Sequence, residues 1–256
     1  MLGAKHMKEL KLGIFRFAML FCVSLSSVPA FAYNPLNTDD PGTVDFRHFE
    51  LEWANYAHWL ENSLDLINGD LAFRCGPAPR LEFETQLDFI YALNMGGDDY
   101  ISGWSNTEFG LKYRILGDGD QPFNLAIEGG VVLPTADKRF RQGFDDVTSF
   151  LFALGSFGSK KLRFLWNAGE HFWPNASNTM IYGGALEFHV HDDWWLLSEI
   201  SGETDFVPHD GDDPATLGFG FVHGEDDPVA LSLGGEWGIS PDAERFYLVT
   251  GITFGW

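Results

Sequence analysis

The 256-residue chain is poor in cysteine and in positive charge, and it has no long apolar run beyond its first 32 residues. Cys22 and Cys75 are the only cysteines, too few for a disulfide framework. Lys and Arg number 16 against 37 Asp and Glu, a formal charge of −21. A surface this acidic repels phosphate backbones, which excludes nucleic acid as a partner. Past residue 32 no uncharged stretch reaches the roughly 18 apolar residues of a spanning helix. The charge-free run Val147 to Ser159 is too short, and no i, i+3, i+4, i+7 stripe is present. Glycine (29) and aromatics (24 Phe, 9 Trp, 7 Tyr) are abundant, and 45% hydrophobic content excludes a disordered chain.

The first 32 residues read as an address. Lys5, Lys8, Lys11 and Arg16 precede the apolar run Phe17 to Val23, and Ala30-Phe31-Ala32 is a small-x-small cleavage site after Pro29. This is the pattern of a secretory signal peptide, expected over 1–32. A lipoprotein reading through Cys22 is weaker, because bulky Phe21 precedes it and an AxA site follows. Cleavage leaves Cys75 alone, so the exported chain must hold together by backbone pairing and burial. Residues 33–45 are expected to form a periplasmic or lumenal segment, and 46–256 the main domain.

Period two dominates that domain. Leu81, Phe83, Thr85, Leu87, Phe89 and Tyr91 share one face, and Arg80, Glu82, Glu84, Gln86 and Asp88 the other. Phe109, Leu111, Tyr113 and Ile115 oppose Glu108, Gly110, Lys112 and Arg114. Such runs predict twelve strands, at about 46–58, 64–73, 80–92, 105–116, 122–133, 146–157, 161–172, 179–190, 194–203, 215–223, 229–239 and 246–256. Most are longer than the roughly 5–6 residues usual in soluble sheets, and they match the roughly 9–11 of tilted transmembrane strands. Short turns alternate with generally longer links at 93–104, 134–145, 173–178 and 204–214. Trp53, Trp59, Trp104, Trp166, Trp173, Trp194, Trp195, Trp237 and Trp256 fall near strand ends, as in interfacial girdles. The fold expected is all-β, a transmembrane antiparallel up-and-down β-barrel of 12 strands. A soluble sandwich with core aromatics is the alternative.

The last strand is the sharpest local signal. Phe246, Leu248, Ile252, Phe254 and Trp256 fall on one alternate face, with an aromatic as the final residue. This resembles the C-terminal assembly signal of bacterial outer-membrane barrels, and implies the barrel-assembly machinery as a partner. Lipid demands that every backbone polar group be satisfied, so a sheet there must close.

Three words in the sequence carry a family resemblance. Pro35 to Thr43 (PLNTDDPGT) precedes the first strand, Glu108 to Arg114 (EFGLKYR) fills the fourth, and Leu133 to Lys138 (LPTADK) follows the fifth. Together they resemble the outer-membrane barrel family labelled "MetA-pathway of phenol degradation", over about 34–256. The resemblance implies a Gram-negative outer-membrane location and uptake of small aromatic or hydrophobic compounds. It brings no catalytic residues.

Strand parity marks a candidate solute path along the lumen: Glu50, Glu52, Glu82, Glu84, Asp88, Glu108, Lys112, Arg114, Glu128, Arg163, Glu187, Glu199 and Glu236. Arg80 is expected to point inward with them. Twelve strands enclose a backbone diameter of roughly 24 Å before side chains fill it. The charges could form a salt-bridge network that plugs this bore, or line a water-filled pore favouring cations or neutral solutes. Outer acids such as Asp98, Asp99, Asp210 and Asp212 read as a solvated surface bridged to lipopolysaccharide by divalent ions. His189-x-His191 lacks a third ligand, so no metal or other cofactor is expected. No GxSxG word occurs, and Ser198, Ser201 and His171 are not paired by any motif, so the protein is read as a non-enzyme. The expected function is an outer-membrane channel or transporter for passive passage of small solutes. The alternatives are a plugged structural or binding barrel, or an outer-membrane lipid-modifying enzyme.

Overall fold

The computed structural model describes residues 37–59, 64–94, 100–118, 121–137, 146–191, 193–205, 213–225, 227–241 and 243–256. The proposed signal peptide and most of the acidic outer residues lie outside this set. Twelve strands follow in chain order: β1 (Phe49–Trp59), β2 (Leu64–Ala78), β3 (Leu81–Asn94), β4 (Tyr100–Leu116), β5 (Phe123–Leu133), β6 (Thr148–Ser159), β7 (Leu162–Phe172), β8 (Thr179–His191), β9 (Trp194–Asp205), β10 (Ala215–His223), β11 (Val229–Gly238) and β12 (Phe246–Gly255). Each pairs antiparallel with its sequence neighbours, and β1 pairs with β12 to close the barrel. Every strand thereby finds backbone partners on both edges, and no edge is left open.

Two sequence boundaries are corrected. Residues 75–78, read as a turn, belong to β2, and the turn is Pro79-Arg80. Pro77 is tolerated because the β2–β3 register slips between Cys75 and Ala78, where its missing N–H breaks no regular rung. Residues 93–104, read as an outer link, are strand at both ends. The β3–β4 pairing shifts twice, between Leu87 and Phe89 and between Ile90 and Leu93. Each shift throws the period-two pattern out of phase, which hid the strand.

The wall has two unlike faces. Trp53, Leu111, Ile127, Leu151, Ile200 and Phe219 are exposed on the outside. Glu50, Glu52, Glu82, Lys112, Glu199 and Glu236 are buried on the inside. The barrel is therefore inverted relative to a soluble protein, with an apolar outer belt that only hydrocarbon can cover. Ile200, in the middle of β9, is 56% exposed. Ile200→Arg is expected to destabilise the barrel by about 2–4 kcal/mol, measured by urea titration of folding into lipid vesicles. A change below about 0.5 kcal/mol, the range of ordinary surface substitutions, would contradict a lipid-facing position.

Residues 37–48 enter the barrel at the end that carries the short turns. Phe46 bridges Gly76 in parallel, Arg47 N–H donates to Gly76 O at 2.8 Å, and Gly76 N–H donates to His48 O at 3.1 Å. A Cβ on Gly76 would sit 2.1 Å from Asp45 O and 2.6 Å from Val44 O, so only glycine admits this crossing. Arg47 takes a positive φ of 70°, and the chain reverses there from the lumen into β1. Phe49 and Trp256 exchange backbone hydrogen bonds of 2.9 and 3.0 Å, which fixes the start of the barrel to its end.

Candidate functional site

The lumen is crossed by residues 37–45, and inward side chains from around the wall hold them. Strand pairing aligns these side chains in rings. One ring runs Glu82, Lys112, Glu128 and Phe152 across β3 to β6, and another runs Asn167, Gly183 and Ser201 across β7 to β9.

Glu199 is the principal anchor. Its two oxygens accept consecutive backbone N–H groups, Asn37 at 3.0 Å and Thr38 at 2.5 Å. The Asn37 amide donates to Glu236 Oε2 at 2.9 Å and to Ser201 Oγ at 3.2 Å, while Asn167 donates to Asn37 O at 3.2 Å. Glu236 is fully buried and also accepts from Thr216 Oγ1 at 2.6 Å. Val44 N–H donates to Glu82 Oε2 at 2.7 Å. Carboxylates acting as acceptors for backbone N–H groups make stronger bonds than neutral pairs do.

Two cations grip the segment's acids. Lys112 Nζ lies 2.7 Å from Asp39 Oδ2 and donates to Asp40 O at 3.3 Å. The same ammonium stands 3.8 Å from Glu82 and 4.0 Å from Glu128. Arg163 pairs with Glu187, lies 3.3 Å from Glu225 and reaches Asp40 at 3.5 Å. Burial alone would push the Asp39 carboxyl up, but the Lys112 ammonium outweighs it and holds the carboxyl below its ordinary value. Asp39 thus stays ionised at neutral pH, and the pair favours the inserted segment. That contribution is lost as pH falls through the lowered range. Arg74, also buried, binds Glu84 and lies 2.7 Å from Glu52.

The segment divides the lumen into two chambers. One, of about 380 Å³, lies toward the long links and is bounded by Asn37, Asp39, Glu108, Phe150, His171 and Glu203, among others. The other, of about 450 Å³, lies toward the short turns and is bounded by Asp40, Asp45, Arg114, Asp118, Arg163 and Glu225, among others.

All thirteen sequence-marked lumen positions face inward in the strand register. Ten of them divide into three groups. Glu82, Lys112, Arg163, Glu199 and Glu236 hold the segment. Glu52, Glu84 and Glu187 are tied to arginines. Glu108 has no hydrogen bond or ion pair with any described residue, and Asp88 accepts only from Gln86, at 2.9 Å. Glu128 stands at the edge of the Lys112 cluster, Glu50 is buried beside the segment, and Arg114 faces the short-turn chamber. Arg80 is a correction: it sits in an exposed turn at φ 65° and pairs with Asp118 at 3.2 Å outside the lumen. The terminal positions Phe246, Leu248, Ile252 and Phe254 lie on the outer face of β12, and Trp256 stacks on Phe49 at 6.2 Å. Sequence reasoning gave Asn37, Thr38, Asp39 and Asp40 only as part of a periplasmic or lumenal segment, and did not single out Asn167, Ser201 or Thr216 as lumen groups. The only signal was the PLNTDDPGT word, a dense polar run just before an alternating strand.

No protein-family model matches the sequence, and no curated protein matches it. Solved structures do. The COG4313 outer membrane channel from Pseudomonas putida F1 superposes with a TM-score of 0.65 at 12% identity, covering 86% of this chain and 100% of that one. The NanC porin gives 0.58 at 8% identity, and the KdgM porin 0.56 at 10%; both cover 80% of this chain and 98% of their own. The shared property at such identities is the twelve-strand barrel fold.

Proposed function

We propose that the protein is a non-enzymatic outer-membrane channel for passive passage of small solutes, shut at rest by residues 37–45. The observation that carries this is the arrangement of two chambers on one axis, separated by a short segment held by side-chain contacts rather than by a strand of the wall. A barrel evolved only as a lipid-embedded plug has no need of two hollows. The apolar outer belt places it in a membrane, and the fold is that of proteins described as outer membrane channels and porins. An N-terminal signal peptide would deliver the chain, and the outward face of β12 would meet the assembly machinery. Lipopolysaccharide would surround the long-link end. The sequence resemblance to the MetA-pathway family points to small aromatic or hydrophobic solutes.

Proteoliposome swelling tests this reading. Vesicles holding the mature chain and diluted into an isotonic pentose should swell slowly, and vesicles holding the chain without residues 37–45 much faster; protein-free rates in both would overturn the channel. The many contacts on residues 37–45 favour the second reading, a plugged barrel that binds without conducting, and protein-free rates in both would support it.

A further inference from the structure

We propose that the chamber on the long-link side binds a small organic cation that carries an aromatic or alkyl body. That the ligand is a solute in transit rests on the channel reading, whereas the binding itself does not.

The chamber has two unlike walls. The β3–β5 side presents Glu84, Glu108 and Glu128, and Asp39 joins them from the segment. No Lys or Arg lines the chamber among the described residues. The nearest cations are already engaged, Arg74 by Glu52 and Glu84, and Lys112 by Asp39. Glu108 is left without a countercharge. Its cross-strand neighbour Gln86 turns its amide to Asp88 instead, at 2.9 Å.

The other wall is aromatic. Phe150 and Phe152 have ring centroids 5.7 Å apart, and each lies 5.6 Å from the His171 ring. The two walls meet along the sheet, because Glu128 and Phe152 are cross-strand partners. Glycine brings them closer still. A Cβ on Gly130 would sit 2.3 Å from Phe109 O and 2.5 Å from Phe150 Cζ, so the absence of that atom lets the Phe150 ring lie across β5. The ring tip and Glu128 Oε1 come within 3.9 and 3.4 Å of one point above Gly110. A third feature is independent of charge. Asn167 lines the chamber at 7% exposure, and its Oδ1 has no hydrogen-bond partner although its amide is committed to Asn37 O. A buried acceptor left empty costs stability, and a ligand N–H would fill it.

One ligand class uses all three features. An ammonium group meets the uncompensated carboxylate and the negative faces of the rings, which attract cations within about 6 Å. Its N–H groups suit the Asn167 acceptor, and its body covers the apolar wall. An anion is repelled by the acidic wall, and a neutral solute brings no countercharge to it. A bare metal ion gains nothing from the rings, and no group of three His, Cys, Asp or Glu able to hold one occurs among the described residues. The volume of about 380 Å³ lies at the small end of the roughly 300–1,000 Å³ typical of ligand pockets.

Calorimetric titration of the intact mature barrel in detergent tests this with phenethylamine, phenethyl alcohol and phenylacetate at neutral pH. The amine should bind about tenfold more tightly than the alcohol, and phenylacetate should give no saturable heat. Glu108→Gln, which keeps the shape, should weaken the amine about tenfold and leave the alcohol unchanged. Phe150→Leu should weaken it severalfold, with a heat-dependent gel shift verifying that each variant is a folded barrel. Equal affinities for amine and alcohol, no saturable amine binding, or a Glu108→Gln variant that binds like the parent would each overturn the proposal. Amine binding with no pentose swelling, with or without residues 37–45, would uphold the chamber and remove the channel. Swelling with no amine binding would do the reverse.

Discussion

Deleting residues 37–45 is expected to speed pentose entry into proteoliposomes at least tenfold, with the barrel still folded. The segment contributes no strand to the wall, so its loss removes none of the twelve strand pairings. What it does contribute is obstruction between the two chambers. Glu199 alone accepts two of its backbone N–H groups, and hydrogen bonds to charged groups are worth about 1.5–3 kcal/mol each. A net closing preference of only about 1.4 kcal/mol already keeps closed barrels in tenfold excess. Lys112 would lose Asp39 but keep Glu82 and Glu128 nearby, so no buried cation is stranded. An unchanged swelling rate would mean that the obstruction lies elsewhere.

The second large effect is expected at Lys112. Lys112→Met should cost about 3–5 kcal/mol of barrel stability, read as a shift in urea-dependent folding into vesicles. The Lys112 side chain stands among Asp39, Glu82 and Glu128, all largely shielded from solvent, and its removal leaves three carboxylates facing one another without the ammonium between them. The exposed pair of Arg80 and Asp118 is the control, and Arg80→Met should change stability by less than about 1 kcal/mol. Part of the Lys112 cost belongs to Asp39. The same substitution should therefore cost less in the chain that lacks 37–45, and the difference measures the coupling of segment to wall. Equal costs in the two backgrounds would show that Asp39 is not held by Lys112.

The barrel was legible because its two solvents impose opposite demands on alternate residues. Runs such as 80–91 and 108–115 carry that contrast in every step. It failed where the pairing itself is irregular, around Cys75 to Ala78 and beyond Leu87, since a bulge shifts the phase without changing composition. Parity also placed the lumen charges, because the face of a residue depends only on its own strand. Which charges pair with which does not follow from parity. Glu82 and Glu84 are two residues apart on one strand, yet one answers Lys112 and the segment while the other answers Arg74. Likewise, Asn37 to Asp40 reach side chains more than 70 residues away, and no local pattern encodes such a contact. Pairing also decides which acids are free to set ion selectivity. Glu82 and Glu84 each answer a buried cation, Lys112 and Arg74, so the weight of any cation preference falls on Glu108 and Asp88.

The central claim, an acid-lined channel closed by its own N-terminal segment, is tested most directly by single-channel recording in a planar bilayer under a KCl gradient. The mature chain should show brief, infrequent openings. The chain lacking 37–45 should stay open, with a reversal potential on the cation-selective side that moves toward zero with Glu108→Gln. Stably inserted barrels that remain silent without the segment, or that open with anion preference, would contradict the account.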